Sequence, residues 1–328
     1  MRKLPQLTRR EALALGSGAA AAITLGGQSL FAQSRLRMTI VTGGTGGVFY
    51  PYGGGLARIL SEKVPNMQVT AQVTGGSGDN CKLVNAGEAE IGFSTVDLAS
   101  DAAQGIGVFK DGGKQDVVVL ASLYDSFMHM VASADAGVTK IADLKGKRLA
   151  VGPAGSSTET IGDRVLEAAG LNPKTDITRD NLSVAESVNA LKDGKIQAFF
   201  WIGGTPTAAV RDLATTGQPG ILLLDTGAEL AVLQGKYPGL YNKFLLSKSI
   251  YAGMQSDVTG LGVANLLVVS SKLPDTTVTA VLEAIFGNLE EVQKIHPEAR
   301  KLSLKTAGVK TALPYHPAAA AFYKKMGG

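Results

Sequence analysis

From residue 38 onward the chain repeats one local pattern: a short β-branched or apolar run, a glycine-rich turn, then apolar residues at helical spacing. Strands that alternate with helices in this way are buried as an α/β sheet, so this feature restricts the fold more than any other. Residues 38–41 read as a strand, 42–47 as a turn, and 51–63 as a helix with Leu56, Ile59, Leu60 and Val64 on its inner face. A strand follows over 67–73. Gly75-Gly76-Ser77-Gly78 opens a helix through Leu83 and Val84, Gly87 ends it, and 91–93 is a buried strand. Residues 117–120 and 128–132 read as two further strands.

The pattern then starts afresh. After a polar turn at 143–147 come a strand over 148–151 and a loop over 152–155. Ser156-Ser157-Thr158-Glu159 matches a capping box, in which a serine hydroxyl and a glutamate three positions on satisfy the first helical amides. The helix it opens carries Ile161, Val165, Leu166 and Ala169, and Gly170 with Pro173 closes it. The segment 85–93 aligns with 192–200, each a helix ending at glycine that turns into a buried strand. Each lies about 40 residues beyond a glycine-rich, hydroxyl-bearing turn, at Thr45 and at Ser156. Two lobes of related build are expected.

Composition narrows the chemistry. The 328 residues include one cysteine, Cys81, which excludes an internal disulfide and, in its apolar stretch, reads as a small buried residue. His129, His296 and His316 are too scattered for a helical metal pair, so no metal site and no cofactor are expected. The formal charge is +4, but Arg2, Lys3, Arg9 and Arg10 against Glu11 account for three of those charges. No basic stripe remains in the body of the chain, which argues against nucleic acid as a partner. Enzyme signatures fail letter by letter. A dinucleotide fingerprint would need glycine where Phe49 stands, Val108 and Gln115 break a phosphate loop around Gly113-Lys114, and two positions after Ser77 stands Asp79 rather than the glycine of a nucleophile elbow.

Residues 1–34 read as an export leader. A twin-arginine-like Thr8-Arg9-Arg10-Glu11-Ala12-Leu13 precedes a mild apolar run over 12–31, and cleavage is expected near Ala32 to Ser34. The general secretory route is the other reading. No other stretch reaches the roughly 18 apolar residues of a membrane span.

Four segments present backbone amides, small side chains or both: 43–48, 75–78, 94–97 and 155–158. Glycine lets a ligand approach the backbone, and a helix start carries unpaired N–H groups with a partial positive charge of roughly half a unit. Plain capping would explain one such turn; four in one chain point to a shared anion-binding cleft. Trp201, the only tryptophan, sits at a strand end where it either packs in the core or lines that cleft.

Gly44-Thr45-Gly46-Gly47-Val48-Phe49-Tyr50-Pro51, with Thr74-Gly75-Gly76-Ser77 and Ser94-Thr95-Val96-Asp97, resembles the solute receptors of TRAP (tripartite ATP-independent periplasmic) transporters, and within them the TAXI family. The likeness continues through Val151-Gly152-Pro153-Ala154-Gly155-Ser156-Ser157-Thr158-Glu159, Ala190-Leu191-Lys192-Asp193-Gly194 and Ala198-Phe199-Phe200-Trp201. It runs on through Gly203-Gly204, Pro206-Thr207-Ala208, residues 261–269, His296-Pro297 and His316-Pro317, and so spans the mature chain. The resemblance implies an α/β periplasmic binding protein of the two-lobe, type II-like kind, with lobes joined by crossing hinge strands. Lobe I would comprise 35–127 and 266–328, and lobe II 128–265. It implies a monomer, not an enzyme, that binds a glutamate-like amino acid or a dicarboxylate such as 2-oxoglutarate and delivers it to a TRAP permease. Carried over by motif, the first lobe would contribute Thr45, Gly46, Gly47, Val48, Phe49, Tyr50, Ser77, Asn80, Ser94 and Asp97. The second would contribute Ser156, Ser157, Thr158, Trp201 and Thr205. Asp97 would either hold an α-ammonium group or cap the helix after Ser94. Other TRAP receptors clamp an organic acid with arginine, and these motifs contain none. A receptor serving an ABC importer, of the sulfonate or thiamine-precursor type, is the alternative; an exported enzyme with Ser156 as nucleophile is a third reading, lacking a placed histidine base.

Overall fold

The computed structural model describes residues 35–327, so the expected leader and its cleavage site lie outside the described residues. The first half of the sheet is built from β1 (Leu36–Val41), α1 (Phe49–Lys63), β2 (Met67–Gln72), α2 (Ser77–Ala86), β3 (Ile91–Thr95) and α3 (Val96–Gln104). β1 lies between β2 and β3 and pairs with both in parallel, as a strand–helix–strand alternation requires. A long strand, β4 (Val118–Ser133), leads to a second run of the same design. That run is β5 (Arg148–Ala150), α4 (Ser157–Ala168), β6 (Thr178–Asp180), α5 (Val184–Lys192), β7 (Ala198–Gly203) and α6 (Ala208–Thr216), with β5 parallel to β6 and β7. β8 (Ile221–Leu223), α7 (Gly227–Lys236), β9 (Asn242–Leu246) and a second long strand, β10 (Val258–Val269), follow. The chain then closes with α8 (Asp275–Gly287), α9 (Leu289–Gln293), α10 (Leu304–Ala307) and α11 (Pro317–Lys325).

The strand order is β2-β1-β3-β10-β4-β7-β5-β6, with β8 on β4 and β9 on β10. The outer triplets mirror each other, and each meets one long antiparallel strand: β3 meets β10, and β7 meets β4. The long strands also pair with one another. Gly262 to Ala264 face Phe127 to Asp125, and after a shift in register Leu266 to Val269 face Ser122 to Val118. Both strands thus cross from one half to the other, the two-lobe architecture expected of the chain.

β4 corrects one expectation, since the two strands read over 117–120 and 128–132 are one strand of 16 residues that begins at Val118. Its centre reads as a break because Ser122, Asp125 and Ser126 interrupt the apolar run. Asn265 Nδ2 donates to Ser126 Oγ at 2.8 Å and Asn242 Nδ2 to Asp125 Oδ2 at 2.9 Å, so two of these polar groups are satisfied inside the sheet. The 85–93 and 192–200 segments occupy equivalent places. Gly87 and Gly194 adopt left-handed φ of 72° and 68° between a helix and an inner strand.

Ile40, Leu56, Leu60 and Phe93 pack with Val278, Val281, Leu282 and Ile285, which fixes the C-terminal helices on the first half. Val188, Leu191, Phe199, Val210 and Leu213 form the corresponding cluster on the second.

Candidate functional site

The turns after β1, β2, β5 and β6 and the ends of β3 and β7 surround a cleft of about 320 Å³, the position where open α/β sheets bind ligands. The starts of α1, α2, α4 and α5 line it, and Thr95, the residue preceding α3, lines it as well. Their glycines are needed because the two halves meet there. A Cβ on Gly47 would stand 3.0 Å from the Trp201 ring, one on Gly46 3.1 Å from Val184, and one on Gly78 would overlap the Gly155 carbonyl oxygen.

Hydroxyls join the halves at the base of the cleft. Ser157 Oγ donates to Ser77 Oγ at 2.7 Å, which leaves Thr95 Oγ1 to donate to Ser157 Oγ, also at 2.7 Å. Ser77 Oγ accepts from the Thr95 amide too, so its own proton is the one left for a solute. Ser156 caps α4 by accepting from Glu159 N, while the Glu159 carboxylate reaches Gly155 N at 2.7 Å rather than closing the box on Ser156.

No lining side chain carries a charge. Asp79, Glu159 and Glu186 in the first turns of α2, α4 and α5 accept from the amides of Gly75, Gly155 and Ser183, so the donors left to the cleft are the remaining amides of its turns and its hydroxyls. Tyr124, from the middle of β4, is pushed well above the usual phenol range by burial and stays a neutral donor. Trp201 is held from behind: its Nε1 donates to Thr207 Oγ1 at 2.9 Å, and Thr207 N donates to Tyr251 OH at 2.8 Å. His129 Nδ1 faces the carbonyls of Phe127 and Trp201 and must donate, so Nε2 accepts from Tyr251 OH. Burial pushes His129 down to about 4 and keeps it neutral.

Of the expected residues, Thr45, Gly46, Gly47, Val48, Phe49, Ser77, Ser156, Ser157, Thr158 and Trp201 line this cleft, and Thr45 and Ser156 reach it from opposite halves. Five are placed elsewhere. Tyr50 is on the surface, turned outward by the helical phase of α1. Asn80 is buried scaffolding: Nδ2 donates to Thr42 O and Phe93 O, and Oδ1 accepts from Thr74 Oγ1. Ser94 Oγ is turned to the Thr95 carbonyl. Thr205 gives its amide to Glu298 Oε1 at 2.6 Å, outside the lining. Asp97 neither reaches the cleft nor caps α3; it pairs with Arg164 at 3.2 Å and accepts from Tyr241 OH at 2.9 Å. Sequence reasoning missed Thr74, Thr95, Tyr124 and Ser183. Ser183 had a signal, a capping box with Glu186 complete in both directions; Tyr124 had none.

Cys81 is buried, and burial pushes its thiol up to about 12, so it is inert. Among the described residues no cluster of His, Cys, Asp or Glu could hold a metal ion, and no helix is long and apolar enough to cross a membrane.

The crossing strands and the cleft between the halves define a two-lobe periplasmic-binding-protein fold. Residues 40–327 match the NMT1-like family, and the chain belongs to that family. Periplasmic binding protein BugD shares the fold at a TM-score of 0.52 and 15% identity, over 88% of this chain and 93% of that one. A structure described as a periplasmic transporter gives 0.52 and 13%, over 89% and 92%. The periplasmic aliphatic sulphonate binding protein SsuA from Escherichia coli gives 0.45 and 15%, over 89% and 90%.

Proposed function

We propose that the protein is a periplasmic receptor that closes on a small organic anion lacking an ammonium group and hands it to a membrane importer. The observation that carries this reading is the cleft itself: several helix starts with no charged side chain among its lining. A helix start contributes about half a positive charge, offset in part by the first-turn carboxylates of α2, α4 and α5, and with the free hydroxyls the starts favour a carboxylate or sulfonate. A zwitterionic amino acid would bring an ammonium group, and Asp97, the carboxylate expected to receive it, is taken by Arg164. Phe49, Tyr124 and Trp201 would cover the apolar part of the solute.

The absence of arginine from the lining departs from the clamp of other TRAP receptors. We therefore place the ABC-importer reading ahead of a TRAP permease; a neighbouring ATPase gene would support the first and a multi-span permease without one the second. The crossing of β4 and β10 supports lobe I as 35–127 with 266–328, and lobe II as 128–265. An enzymatic role for Ser156 lacks a base, because none of His129, His296 and His316 lines the cleft.

A thermal-shift panel of small sulfonates, carboxylates, keto acids and amino acids tests the proposal. A micromolar solute, bound with about −8 kcal/mol, adds about 2.7 kcal/mol of stability at a hundredfold excess. That is a rise in melting temperature of roughly 5 °C. No response to any anion, or a response to amino acids alone, overturns the reading.

A further inference from the structure

Behind the cleft, and outside its lining, the two halves share a buried charged cluster. Arg164 lies on α4 of the second half, and Asp97 and Asp101 lie on α3 of the first. Arg164 Nη2 meets Asp101 Oδ2 at 2.5 Å and Nη1 meets Asp97 Oδ2 at 3.2 Å; the side chains are 10%, 3% and 0% exposed. Tyr241, ahead of β9, accepts from Arg164 Nη1 at 2.6 Å and donates to Asp97. The guanidinium lies 4.2 Å from the ring centroid of Tyr237, at the end of α7, and Lys236 approaches the same ring at 5.4 Å. Cys81 of α2, a neutral thiol, also lies near Asp97, and Lys236 is held by Glu167 of α4 at 3.1 Å. Two carboxylates thus share one guanidinium, and Asp97 Oδ1 is buried with no hydrogen-bond partner.

We infer that Asp101 and Arg164 are positioning residues that set solute affinity from outside the cleft by clasping the halves together, and that closure takes up one proton on the Asp97–Asp101 pair. This rests on the solute-receptor reading for its use, but not for its test. The guanidinium can neutralise only one carboxylate, and the second is paid for in desolvation. Burial pushes Asp101 up to about 6, against the pull of Arg164. Once the halves part and water reaches the carboxylate, it returns towards about 3.9. The closed form has the higher pKa, so closure is favoured below about pH 6 and weakens as the pH rises through that value. The closed-to-open ratio changes roughly tenfold between pH 5 and pH 7.

Trp201 is the only tryptophan and lies in the cleft between the halves, so its fluorescence reads closure without any solute. Acrylamide quenching of the ligand-free protein between pH 5 and pH 8 is expected to increase through a midpoint near 6. Asp101→Asn keeps an acceptor for Arg164 without the charge, and should stay weakly quenched at every pH. Arg164→Met should be strongly quenched at every pH. His129, behind Trp201, titrates near 4 and does not interfere. A flat wild-type profile overturns the proposal without recourse to any variant, and so does an Asp101→Asn profile that keeps the midpoint. Failure of the solute panel leaves this result unaffected.

Discussion

At the scale of single residues, the cleft depends on atoms that are absent as much as on those present. Gly78 lies against the Gly155 carbonyl, so Gly78→Ala forces the two halves apart. We expect a far-ultraviolet circular dichroism spectrum like that of the wild type and a loss of solute affinity of at least tenfold by calorimetry; unchanged affinity would show that the contact yields cheaply. Ser157→Ala removes the hydroxyl that joins Ser77 to Thr95. One such bond is worth about 1 kcal/mol net, so affinity should fall about fivefold with little change in melting temperature. Asn80 has the opposite character. Its three buried bonds make Asn80→Ala a stability defect of about 2–4 kcal/mol, measured by urea unfolding. The sequence showed hydroxyls and glycines in the right turns. It could not show that Asn80, Ser94 and Asp97 in those same turns face inward, because side-chain direction there depends on partners as distant as Arg164, 67 positions away.

At the scale of elements, α4 shows what was legible and what was not. Its start was read from Ser156 and Glu159, which a local pattern specifies. Its ties to the rest of the sheet were hidden: Arg179 meets Glu159 at 2.6 Å, and Asn181 donates to the same carboxylate. Burial alone would raise the pKa of Glu159, but the bonds from Asn181, the Gly155 amide and Arg179 overcome it and hold the carboxyl below the usual range. A depressed folded value means that this group stabilises the fold above its unfolded pKa and loses that contribution as pH falls through the folded one. Glu159→Gln should therefore narrow the gap in melting temperature between pH 7 and pH 3 relative to the wild type, as calorimetry would show. β4 was divided in two for a related reason. Alternation marks a strand with one solvated face, whereas the middle of β4 is mostly buried on both sides, with Asp125 and Ser126 paired within the sheet.

At the scale of the whole molecule, repetition was the most legible property. The same strand–turn–helix sequence occurs twice because each half needs an inner strand, a turn that faces the cleft and a helix to cover the sheet. What escaped detection was the seam between the halves, since the pairs that form it, Ser77 with Ser157 and Asp97 with Arg164, are 80 and 67 positions apart. No window of sequence contains both partners.

The long strands have a consequence for how such a protein can be divided. β4 gives its early residues to one half and its late residues to the other, and β10 does the reverse. No single cut of the chain separates the halves, because each half takes part of both long strands. Exchanging a half between relatives would have to rejoin both strands in mid-course, whereas exchanging a cleft loop leaves them whole.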